Sequence, residues 1–264
     1  RADLLQAKGL YPPPVGASPI LGLEMAGVTA DGRRVCSLLP GGGYAEKVAV
    51  HPAMLLPLPE HWSFEQGAAV PEVWLTAFVN LFLEGNLQAG ETVLIHAGAS
   101  GVGTAAIQLA RDAGAERVLV TVRSPEKAQR CWDLGAEVIP PEQATQVDLI
   151  IDCIGGAYLG QNIEALKPFG RLINIGLLGG SKGELNMTAV LRNRLTIKGS
   201  TLRSRPRAEH IRIVQAFRER FWDKLVNGTF QIPIDRTFPI EETAAAHRYM
   251  AENRNFGKIV LVIE

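Results

Sequence analysis

The chain has 264 residues, 47% of them hydrophobic, with 27 Lys+Arg balanced by 27 Asp+Glu. That is the composition of a globular protein of one or two domains with chain enough for a sizeable core. With zero net charge no basic excess points to nucleic acid or an anionic membrane surface, and no apolar run reaches the roughly 18 residues of a membrane span.

Residues 1–70 are rich in proline and glycine, as in YPPPVGASP and LLPGGG. They read as loops between short apolar stretches at 20–28, 35–39 and 44–50 that suit strands. The opening RADLLQAKGL does not have the form of a signal peptide. Cys36, Cys131 and Cys153 are odd in number and widely spaced, which fits reduced thiols and a cytoplasmic location. Ser63, with Glu65 and Gln66 behind it, starts a helical stretch to residue 82 that Pro71 breaks or kinks. From Thr92 the pattern alternates. Strands are expected at 92–97, 117–122, 148–153, 171–176 and 195–200, and helices at 102–113, 125–134, 158–166 and 186–193. Such alternation predicts an α/β fold, a doubly wound parallel sheet with helices on both faces. A long helix at 207–226, a strand at 232–238, a helix at 241–252 and a strand at 258–263 close the chain. This tail is more like the first 70 residues than the middle. That predicts a discontinuous outer domain, 1–77 and 203–264, with a nucleotide-binding domain, 78–202, inserted.

The stretch TVLIHAGASGVGTAAIQLAR holds the strongest chemical signal. Gly98 and Gly103 keep the outer positions of a G-x-G-x-x-G turn, and Ser100 replaces the middle glycine. Glycines between a strand and a helix let backbone approach a pyrophosphate, and the helix N-terminus offers it free N–H groups. Ser100, Gly101 and Val102 are therefore candidate phosphate contacts; a tight turn without a ligand is the competing reading. In NAD-binding units an acid about 20 residues past the turn binds the ribose. Here Arg123 stands 20 residues beyond Gly103, followed by Ser124 and Lys127. A guanidinium grips a 2′-phosphate, which a carboxylate repels, so the pattern points to NADPH over NADH. A solvated Arg and Lys beside a helix start is the alternative.

RADLLQAKGLYPPPVGAS, ILGLE, LLPGGGYAEKVAV, AAVPEVWLTAF, VLIHAGASGVGTAAIQLAR, DLIIDCIGG, TLRSR and NFGKIVL run from end to end of the chain. Together they resemble the NADPH quinone oxidoreductase branch of the zinc-independent medium-chain dehydrogenase/reductases, the zeta-crystallin-like group. The resemblance implies a GroES-like β-rich outer domain wrapped around a Rossmann domain, with bound NADPH and a small quinone or enone substrate. It implies a homodimer through the edge strand 194–200, whose alternating side chains and otherwise open edge suit such pairing. It also implies a missing N-terminal part, since relatives carry roughly 40 residues ahead of the position of Arg1. GVTADGRRV and VIPPEQATQVD are short against the family pattern. The second must span about 22 Å in the usual strand order. Seven extended residues reach about 23–25 Å, with no slack to go around a sheet edge or over side chains, and a parallel crossover normally needs a dozen or more residues. Residues are therefore expected to be absent from this link.

Zinc enzymes of the wider family need His, Cys and often Glu ligands, or four close cysteines. Leu23 stands where they have histidine, and no cysteine cluster exists, so no metal is expected. Glu24 then reads as a hydrogen-bond acceptor before any acid–base role. The resemblance places Tyr11, in the proline loop GLYPPPVG, beside the nicotinamide, where a phenol donates to an acceptor oxygen. A loop-packing tyrosine competes with that role. Thr76 and the turn Ile175-Gly176-Leu177 match nicotinamide-lining positions. Arg203 reads as a cofactor contact or part of a solvated basic face; Asn253 and Lys258 match cleft positions. The asparagine that relatives carry just before the Arg-Ala-Asp run is not in this chain. The implied activity is NADPH-dependent transfer of a hydride, or of single electrons, to quinones or related activated carbonyl or alkene acceptors. An enoyl-thioester or alkenal reductase, and an NADPH-binding crystallin-like protein with little catalysis, are the alternatives.

Overall fold

A short helix, α1 (Ala2–Ala7), begins the computed structural model, which describes residues 1–263. Strands β1 (Glu24–Val28) and β2 (Arg34–Leu38) pair antiparallel, with Val28 opposite Arg34, and β3 (Leu56–Pro57) pairs with β2. The short segment GVTADGRRV closes as a tight hairpin. Thr29 N–H donates to Arg33 O at 2.9 Å, and Gly32 N–H donates to Thr29 O at 2.9 Å.

Residues 44–50 do not form the expected strand. Gly43 and Tyr44 spend their N–H groups on the carbonyls of Gly22 (3.1 Å) and Leu21 (2.9 Å), so this backbone is tied to a neighbouring loop. Pro71 divides the next helical stretch as expected. Helix α2 (Phe64–Ala68) carries a reciprocal cap between Ser63 and Gln66. Helix α3 (Pro71–Phe78) starts at the proline, where the missing N–H costs nothing. A π-helical turn, Val79–Glu84, follows.

The alternating region builds one parallel sheet. In chain order it consists of β4 (Thr92–His96), α4 (Gly101–Asp112), β5 (Arg117–Thr121), α5 (Pro125–Asp133), β6 (Glu137–Val138), β7 (Val147–Asp152), α6 (Leu159–Ala165), β8 (Leu166–Asn174), α7 (Met187–Asn193) and β9 (Thr196–Gly199). The strand order is β6-β5-β4-β7-β8-β9. The central strand β4 is buried throughout because helices cover both faces of such a sheet. Residues 139–146 join β6 to β7 as a short link. β6 is only two residues long, a 3₁₀ turn (Pro141–Gln143) takes the place of a helix, and Ile139 and Ala144 pack on the core around Leu94, Leu119 and Val147.

The chain then forms α8 (Arg207–Val226), β10 (Ile234–Pro239), α9 (Thr243–Ala251) and β11 (Lys258–Val262), with β10 and β11 parallel. Two compact units result: Arg1–Leu75 with Leu202 onward, and Thr76–Thr201. The first has an aromatic core in which Trp74 stacks on Phe230 (5.4 Å between centroids) and Trp62 meets Trp222 (5.7 Å). Each such pair adds about 0.5–1.5 kcal/mol beyond its burial.

Candidate functional site

In the second unit the turn from β4 to α4 leaves no room for a side chain at Gly98 or Gly103. A Cβ on Gly98 would lie 2.6 Å from Val120 Cβ, and one on Gly103 would lie 2.5 Å from Gly98 O. Ser100 caps the helix, its hydroxyl accepting from Gly103 N–H at 3.0 Å. The first N–H groups of a helix have no partner within it. Those of Gly101 and Val102 are thus left at the mouth of the turn. β5 lies beside β4, and Arg123 and Ser124 stand two and three residues beyond its end. Arg123 is exposed, and the Ser124 hydroxyl makes no capping bond at the start of α5. Lys127 is half-buried in the first turn of that helix.

The carboxyl edge of the sheet also carries a buried polar network that sequence reasoning did not single out. His96, at the end of β4, meets Asn162 Oδ1 through Nε2 at 2.7 Å and Thr121 Oγ1 through Nδ1 at 3.1 Å. Burial pushes its pKa down, against the Asn162 bond and the Asp152 charge. Asp152, at the end of β7, accepts the N–H groups of Ile154 (2.7 Å) and Gly155 (3.1 Å). Asn174, at the end of β8, donates to Gly176 O at 3.0 Å. The polar residues that end each apolar run were the available signal. Gly176 packs against Cys153, where a Cβ would lie 3.1 Å from its carbonyl, and Leu177 beside it is 56% exposed. Thr76, in α3, accepts the Asn80 side-chain amide on its carbonyl at 2.8 Å.

In the first unit Tyr11, Glu24, Arg203 and Lys258 come together around Glu72, a residue with no distinguishing signal in AAVPEVWLTAF. Arg203 is 6% exposed, so it is no solvated basic face. Its Nε donates to Pro40 O at 2.8 Å and its Nη1 to Tyr11 O at 2.6 Å, while its guanidinium covers the Tyr11 ring at 4.7 Å. Burial and the Glu72 charge push the Tyr11 phenol up, against the pull of Arg203. Glu24 pairs with Lys258 through one oxygen and accepts Glu72 N–H at 2.8 Å through the other. It is a structural acceptor here, and the Lys258 ammonium is spent on it. Glu72 has its carboxyl raised to about 8, by burial first and by Glu24 second. Asn253 is exposed and accepts from Arg1.

A zinc site does not fit these residues. Among the described residues no group of three His, Cys, Asp or Glu side chains stands together. Leu23 precedes Glu24, and burial raises the Cys36 thiol far from the thiolate that a metal needs.

A family model described as "Zinc-binding dehydrogenase" matches residues 113–261. The human synaptic vesicle membrane protein VAT-1 homolog is 31% identical over 301 residues, covering 99% of this chain and 75% of its own. A tetraketide synthase of Cochliobolus lunatus is 31% identical, but the chain spans only 11% of its length. The quinone oxidoreductase of Thermus thermophilus, solved also with NADPH, superposes with a TM-score of 0.87 at 33% identity, over 98% of this chain and 86% of that one. The CurK enoyl reductase superposes at 0.82 with 27% identity, over 99% and 87%. The chain belongs to the zinc-binding dehydrogenase family, the medium-chain dehydrogenase/reductases.

Proposed function

We propose that this protein is an NADPH-dependent oxidoreductase that reduces quinones or related activated carbonyl and alkene compounds without zinc. The observation that carries the reading is the β4–α4 turn, closed to side chains at Gly103 and followed at the end of β5 by the exposed Arg123. Likeness to a quinone oxidoreductase solved with NADPH supports both cofactor and acceptor class.

NADPH, when bound, supplies the hydride. Gly101 and Val102 present N–H groups to its pyrophosphate, and Ser100 holds that turn in shape. Arg123, Ser124 and Lys127 take the 2′-phosphate. Thr76, Gly176 and Leu177 flank the nicotinamide. Tyr11 donates a hydrogen bond to the acceptor oxygen as charge develops on it, and Arg203 fixes the loop that carries the phenol. Lys258 acts by neutralising Glu24, and Asn253 borders the same face of the first unit. The active form is a homodimer joined through β9.

Reduction of enoyl thioesters or alkenals is the second reading, favoured by the likeness to an enoyl reductase. NADPH oxidation followed by absorbance with 1,4-quinones and with crotonyl thioesters decides between them. Quinone turnover is expected. Thioester turnover alone transfers the protein to the second reading. Tight NADPH binding with no turnover of any acceptor contradicts both and leaves a crystallin-like binding protein.

A further inference from the structure

Reduction of a quinone or an enone consumes a hydride and a proton, and no group so far described replaces the proton that leaves the Tyr11 phenol. A small cavity in the first unit bears on this. It has a volume of about 20 Å³ and is lined by Leu38, Leu39, Pro40, Met54, Glu72, Arg203 and His210. A polar cavity above roughly 10–15 Å³ holds one water when two to four polar groups face it. Three polar residues line this one. The Arg203 Nη2 is buried without a partner, although the other two guanidinium nitrogens are both engaged. A buried cationic N–H without an acceptor is costly, and a water repairs it. The His210 Nε2 lies 2.7 Å from the Leu202 carbonyl. A carbonyl only accepts, so this nitrogen carries hydrogen and Nδ1 remains the acceptor of the neutral ring. His210 is half-buried and therefore reaches solvent.

We propose that one water occupies this cavity, bonded by Glu72, Arg203 and His210, and that Glu72 returns a proton to the Tyr11 phenol after each hydride transfer and recovers it through this water, which His210 holds in place. The proposal rests on the oxidoreductase reading above. The balance is complete. The acceptor gains a hydride from NADPH and a proton from Tyr11. The tyrosinate takes the proton of the neutral Glu72 carboxyl, which recovers one from solvent through the water. The groups that face Glu72 set its proton affinity. Burial, Glu24 on β1 and Asp3 on α1 hold the proton on, while Lys258 on β11 and Arg1 pull it off. Part of the residue remains accessible, yet burial of the carboxyl is the first cause. With the carboxyl near 8 and the phenol above its usual value, transfer from Glu72 to tyrosinate runs downhill.

Infrared titration of the cofactor-free protein tests the first half. The neutral carboxyl band should vanish around pH 8 in wild type and be missing in Glu72→Gln. The second half is read from the pH profile of NADPH-driven turnover. In wild type kcat should fall above about pH 8. In Glu72→Gln that limb should disappear, with kcat at neutral pH lower by about 100-fold and NADPH Kd unchanged within about twofold. His210→Gln, which keeps a donor to the Leu202 carbonyl, should lower kcat while leaving the infrared band in place. A Glu72 already ionised at pH 7, a dry cavity in a crystal structure, or a Glu72→Gln enzyme with the wild-type pH profile overturns the proposal. The infrared arm needs neither cofactor nor acceptor, so its failure is distinct from failure of the oxidoreductase reading.

Discussion

A Cβ on Gly103 would stand 2.5 Å from the carbonyl oxygen of Gly98 and 2.6 Å from that of Ala97. Both obstacles are backbone, so neither yields by a side-chain rotation. Gly103→Ala should therefore push α4 away from the end of β4 and spoil the phosphate turn. The expected cost is about 1–3 kcal/mol of stability. NADPH affinity should fall with it. Thermal melting and a cofactor titration check this; a variant with wild-type values of both shows that the turn is looser than described.

The second unit was largely legible in the sequence because its central strands are buried on both faces and carry apolar runs, as in Val93–Ile95 and Leu149–Ile151. Glycines and prolines marked the joints. The first unit was legible only in part. Residues 44–50 carry a strand-like pattern, yet they run as a loop in which no residue is buried, and α1 is too short to show a period. Pairings between distant segments left no local trace. Glu24 and Lys258 are 234 positions apart, and the cavity of Glu72, Arg203 and His210 draws on two ends of the chain. His96, Asp152 and Asn174 closed apolar runs, but a polar residue at a strand end has many uses, and only the bonds of His96 to Asn162 and of Asn174 to Asp152 mark these residues out.

Lys258 neutralises a Glu24 carboxylate that is mostly out of water, with side-chain exposures of 18% and 14%. Removing one partner leaves an uncompensated charge. Lys258→Met should destabilise the protein by about 2–3 kcal/mol, somewhat below the roughly 3–5 kcal/mol of a fully buried pair. Adding Glu24→Gln to that variant should recover most of the loss. Urea unfolding of both variants measures it; a double variant as unstable as the single one contradicts the pairing.

Glu72 should make stability depend on pH. Its carboxyl titrates at about 8 in the fold, against about 4.3 in an unfolded chain. Below the unfolded value both states hold the proton and the group is neutral to stability. As pH rises from about 4.3 to 8 the unfolded chain releases the proton while the fold retains it, so the carboxyl destabilises increasingly, reaching its full cost above about pH 8. Glu72→Gln removes that cost. Its Tm should rise relative to wild type across this window and exceed it by several degrees at pH 8.5. A difference that does not change with pH contradicts the raised carboxyl.

β9 forms an edge of the parallel sheet, and all four of its residues are exposed, with Ile197 40% exposed. An open strand edge of this kind is satisfied by pairing with its copy about a two-fold axis. Ile197→Glu should convert a micromolar dimer into a folded monomer in sedimentation. A wild-type protein that is already monomeric at that concentration refutes pairing through β9.

On the proposed function, the exposed Arg123 beyond the end of β5 reads the 2′-phosphate of NADPH. Loss of one charged hydrogen-bonding group costs about 1.5–3 kcal/mol, or about 10- to 150-fold in affinity. The most direct measurement is titration of wild type and Arg123→Ala with NADPH and with NADH, followed by intrinsic fluorescence or calorimetry. Wild type should prefer NADPH, and the substitution should weaken NADPH by at least about tenfold while leaving NADH nearly unchanged. Equal losses for the two cofactors, or a wild-type preference for NADH, would contradict the account.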